Sequence, residues 1–116
     1  MTIAETERAA CDVNRAIEKL ESLRDGEIGV VEAVACGRRA IPPLRDLLFA
    51  RESSGIYQPR CWSVQALSIL GAFDILFEFL NTPHEASDPV ERAGDDAVIN
   101  AAARNLSVVR EERGCP

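Results

Sequence analysis

The stretch PRCWSVQALSILGAFDILFEFL, residues 59–80, decides how this chain folds. On a helical wheel, Cys61, Trp62, Val64, Ala66, Leu67, Ile69 and Leu70 occupy almost the whole circumference. Gln65 and Ser68 share a narrow polar strip, and Arg60 and Ser63 stand isolated. A helix apolar on nearly every side is a central one, covered by neighbouring helices. It is not a membrane span: Gly71 breaks it after three turns, and Asp74 and Glu78 follow, whereas spanning needs about 20 unbroken apolar residues. Pro59 suits the first helical position, where no N–H partner is lost. Phe73, Leu76, Phe77 and Leu80 then form a stripe at helical spacing, predicting a short helix that ends near Asn81.

The segments on either side read in the same way. Upstream, SSGIYQ (53–58) is a loop. Ile41, Leu44, Leu47 and Leu48 mark the buried stripe of a helix over about 40–51, with Pro42 and Pro43 in its first turn. GEIGVVEAVACG (26–37) is a shorter apolar helix closed by Gly37. Residues 2–24 read as one amphipathic helix, opened by a Thr2–Glu5 capping box and lined by Val13, Ala16, Ile17, Leu20 and Leu23. Downstream, TPHEASD is a linker. Asp88, Pro89 and Glu91 start a last long helix lined by Val90, Ala93, Ala97 or Val98, Ala101, Ala102, Leu106 and Val109. No segment alternates with a period of two, so no sheet is expected. The chain is read as one all-α domain over 1–116 with about six helices, its residues 110–116 a frayed tail.

The helices alternate in type. A shift of 33 residues sets Val31 on Val64, Ala33 on Ala66 and Cys36 on Ile69. A shift of 34 sets Gly37 on Gly71 and Ile41 on Ile75. DDAVINAAARNL matches RCWSVQALSIL at a shift near 36. Self-similarity at this period marks stacked helical hairpins. The residues AIPPLRDLLFA and PRCWSVQALSILGAF resemble a HEAT-like repeat, well over 26–82 and loosely over 88–109. The family resemblance implies antiparallel hairpins stacked as a short α-α superhelix, used as a curved protein-binding scaffold. RESSGIYQ lengthens the turn within a hairpin beyond the family pattern, and the first helix is longer than a repeat helix usually is.

Composition narrows the functional classes. The 116 residues carry 13 basic and 19 acidic side chains, a net charge of −6. That lacks the positive footprint of nucleic-acid binding. Cys11, Cys36, Cys61 and Cys115 show no CxxC or other metal-ligand spacing and are read as reduced thiols of a cytoplasmic protein. The N-terminus has no apolar core of a signal peptide. His84, in the linker, has no partner for a triad or a zinc site. Glu91, Asp95 and Asp96 are read as acids favoured at a helix N-terminus and by solvent, not as a cation site. No phosphate-binding or nucleophile motif occurs. No catalytic residue, metal or cofactor is therefore expected.

The best binding candidates surround the 51–62 loop. Arg51, Tyr57, Arg60 and Trp62 bring together the residue types enriched at interface hot spots, including the chain's single Tyr and single Trp. Packing is the competing role for Trp62, and an even match for Tyr57. Arg38 and Arg39, with Arg45, could clamp an acidic partner or cap the preceding helix. The expected function is a non-catalytic protein-interaction or scaffold module without nucleic acid or membrane. Exposed apolar faces on its terminal helices would make it a homodimer or a subunit of a larger assembly. The alternatives are an acidic inhibitor or immunity-type protein that caps a basic partner, and a small helical enzyme or ligand-binding domain.

Overall fold

The computed structural model describes residues 12–50, 56–83 and 88–114, with side chains to residue 107. Among these residues every regular element is helical and there is no strand. The elements are α1 (Val13–Glu21), α2 (Gly26–Cys36), a 3-10 turn (Gly37–Ala40), α3 (Ile41–Phe49), α4 (Gln58–Ile69), α5 (Phe73–Asn81) and α6 (Pro89–Gly114). Local chemistry sets their ends. Asp12 caps α1 by accepting the Arg15 N–H at 3.0 Å, and the Asp88 carboxylate accepts the Val90 N–H at 2.7 Å to open α6. After α4 the Gly71 N–H donates to the Ser68 carbonyl and the Ala72 N–H to that of Leu67. This two-bond closure needs a left-handed residue, and Gly71 supplies it at φ 77°. Gly37 ends α2 at φ 65° and ψ −141°, a conformation open to glycine and strained for a side chain.

Consecutive helices joined by short connections fold back on each other. α1 packs on α2, α3 on α4 and α5 on α6, while α2, α4 and α6 lie side by side, as do α1, α3 and α5. Two helix layers result, and α4 touches every other helix. Val30, Ala33, Leu44, Leu48, Val64, Leu67, Leu76, Phe79 and Val98 fill the space between the layers. Full burial of a Leu or Phe stabilises by about 1.5–3 kcal/mol. Two glycines let α2 come close: a Cβ on Gly29 would lie 2.8 Å from the Leu20 nitrogen, and one on Gly26 would collide with the Trp62 ring.

Burial follows a 34-residue step across the second layer. Gly26, Arg60 and Gly94 correspond, as do Val30, Val64 and Val98, and Ala33, Leu67 and Ala101; all nine are buried. These buried positions of α6 fall 34 residues from those of α4, where the sequence match lies near 36.

Several expected boundaries and faces differ. Of the helix expected over 2–24, the described part, α1, begins after Asp12, whose extended backbone (φ −103°, ψ 94°) caps it; residues 1–11, with Thr2 and Glu5, lie outside the described residues. α1 stops at Glu21, so Leu23 leaves the apolar stripe for a turn and is 60% exposed. In α5 the buried pair is Leu76 and Phe79, and Phe77 faces out at 55%. Phe79 is held inward by Phe49, with ring centroids 5.4 Å apart in an edge-to-face arrangement. On α4, Ile69 is 59% exposed, so this helix is central yet open on one side. Val90 and Ala93 lie on the exposed side of α6. The backbone of α6 is helical to Gly114. No helix among the described residues is long and apolar enough to cross a membrane.

Candidate protein-interaction surface

Of the residues grouped around the α3–α4 connection, Arg60 takes a different place from the one expected. It is only 4% exposed. Its Nε donates to the Leu48 carbonyl at 2.9 Å, one of the last carbonyls of α3 that no helical N–H can reach. Its Nη1 lies 2.9 Å from Asp95 Oδ1 of α6, and its guanidinium sits 5.8 Å from the Phe79 ring centroid. Arg60 is a core residue, with only a small part of its side chain reaching the surface. One helical turn further, Ser63 Oγ donates to the Leu44 carbonyl. The two contacts run in opposite senses along α3 and α4, as antiparallel packing requires.

Asp95 corrects a second expectation. It is not a solvated acid at a helix start but a 2% exposed partner of Arg60. The signal was present in the sequence: Asp95 shares a face with Val98, Ala101 and Ala102 at helical spacing. Asp96, one position on, is exposed. The described residues contain no cluster of His, Cys, Asp and Glu able to hold a metal ion.

Trp62 is half-buried and covers Gly26, so its ring packs α4 on α2. Tyr57 remains 42% exposed beside Ile56 at 47%. Arg51 and His84 lie outside the described residues. The helix directions place the α1–α2 turn, the α3–α4 connection and the start of α6 at the same edge of the molecule. Among the described residues, that edge carries the exposed apolar side chains Leu23, Ile56, Tyr57 and Val90. A cleft of about 310 Å³ opens there, lined by Glu21, Leu47, Ala50, Ile56, Pro59 and Arg60. Sequence reading found Tyr57 in this group but placed Leu23 and Val90 on buried stripes.

Arg38 and Arg39 are exposed, at the opposite edge, on the 3-10 turn. Arg38 borders a second open cleft with Leu70 and Asp74. These arginines and Tyr57 therefore do not form one surface. Arg45 is already engaged: it binds Glu78 of α5 at 2.8 Å and lies 4.6 Å from the Phe49 ring centroid. The hydrogen bond to Arg45 holds the Glu78 carboxyl below its ordinary range, and the same bond raises Arg45 further above its own. Burial pushes the Cys61 thiol up, against the smaller opposing pull of Arg60 and Arg104. A raised thiol is a poor nucleophile at neutral pH. Cys36 is buried in the core; Cys11 and Cys115 lie outside the described residues. No protein-family model, no curated protein and no solved structure matches this chain.

Proposed function

We infer that the chain is a non-catalytic protein-interaction module of HEAT-like type that binds another protein through its apolar edge. The neighbour pattern of three helix pairs and the 34-residue register of buried positions support the HEAT-like part of this reading. The observation that carries the binding part is the pair of consecutive exposed side chains Ile56 and Tyr57, with Ile56 lining a cleft. Exposed apolar residues scattered singly need no explanation, whereas a group on one edge marks contact with another molecule. Tyr57 is the natural anchor, since an aromatic ring with a polar tip suits a surface that is wet when free and dry when bound.

The test is affinity purification from the native cell, comparing the wild-type chain with a Tyr57→Ala, Ile56→Ser double variant. One partner, retained above about 0.2 M salt and lost with the double variant, is the expected result. A partner released by that salt would instead favour capping of a basic protein by this acidic chain. Capture that the double variant leaves intact would move the contact off this edge. Turnover of any substrate by the pure protein would count against a non-catalytic role.

A further inference from the structure

The two joints between neighbouring helix pairs are made of different chemistry. Between the first pair (α1–α2) and the second (α3–α4) the Trp62 ring lies on Gly26, an apolar contact. Between the second pair and the third (α5–α6) an ion pair bridges each layer. Arg45 to Glu78, at 2.8 Å, joins α3 to α5 at the surface. Arg60 to Asp95, at 2.9 Å, joins α4 to α6 in the core. The Arg60 guanidinium also caps α3 through Leu48 and sits by Phe79 of α5. One planar cation thus holds three neighbouring helices.

These joints fail in different ways. An apolar contact weakens in proportion to the area lost, whereas a buried ion pair that loses one charge leaves the other uncompensated in the core. In stacked helix pairs stability is close to a sum of unit and nearest-neighbour terms, so an end unit can open while the rest stays folded. We propose that the Arg60–Asp95 pair is a latch that holds α5–α6 as a separately openable unit, so that breaking it frees these two helices from a folded α1–α4 body.

Hydrogen exchange of the full chain tests this with Asp95→Asn, which keeps the shape and removes the charge. Amides of residues 73–81 and 89–107 should exchange at least about tenfold faster, with those of residues 13–49 unchanged. Equal acceleration along the whole chain, or none, would overturn the latch. If Asp95→Asn does not fold, exchange of the wild-type chain in sub-denaturing urea decides the matter. Amides of α5 and α6 should then open with a smaller urea dependence than those of α1–α3, since less surface is exposed. A common dependence would overturn the proposal equally.

Discussion

At the scale of single residues, a side chain's role here follows from its position on a helix more than from its type. Arg60 and Asp95 are charged yet buried, while Leu23 and Ile69 are apolar yet exposed. Gly29 is the sharpest case. A Cβ there would meet the Leu20 nitrogen at 2.8 Å and the Ala16 carbonyl oxygen at 3.0 Å, both backbone atoms that cannot swing aside. Alanine would gain up to about 1 kcal/mol in helix propensity, but forcing α1 and α2 apart costs about 1–3 kcal/mol. Gly29→Ala should therefore lower stability, by a net of up to about 2 kcal/mol, measured by urea denaturation with an unchanged slope. A stabilised variant would show that the two helices separate freely.

At the scale of elements, the surface tie between α3 and α5 makes stability depend on pH. Glu78 has its carboxyl lowered by Arg45 in the folded chain, so in acid the unfolded chain binds this proton first. The sign follows: the contribution is complete above the ordinary carboxyl range near 4.5, and is lost as pH falls through the lower folded value. Thermal melts between about pH 3 and 6 should rise more steeply with pH for the wild-type chain than for Glu78→Gln. The difference should shrink in salt, because both partners face solvent. Identical slopes would mean that Arg45 and Glu78 do not interact in solution.

At the scale of the whole molecule, the core and the proposed binding edge occupy different residues. The core lies between the two layers, and the apolar edge lies where the helix pairs turn. Substituting Tyr57 and Ile56 together should leave the unfolding midpoint nearly unchanged, within about 0.5 kcal/mol, while abolishing partner capture. A large loss of stability would show instead that Tyr57 packs the connection. Ile28, Val31 and Ile69 on α2 and α4 are exposed as well, and the same variant pair leaves them intact as an internal control.

The sequence alone determined the helical class and most helix ends, because these depend on local chemistry. The spacing of Leu44 and Leu48, the positive-φ Gly37 and Gly71, and the cap at Asp88 each act within a turn or two of chain. It also placed Tyr57 in the connection before α4, leaving open whether its ring packs there or faces out. Tertiary structure alone decided which face of each helix is covered, since that depends on where the neighbours lie. Phe79 displaces Phe77 from the core because Phe49 is there to meet it, and Arg60 is buried because α6 delivers Asp95 to it from 35 residues away. Periodicity could place Asp95 on the covered face of its helix, but not name its partner, which is why Arg60 reads as a binding residue and Asp95 as a solvated acid.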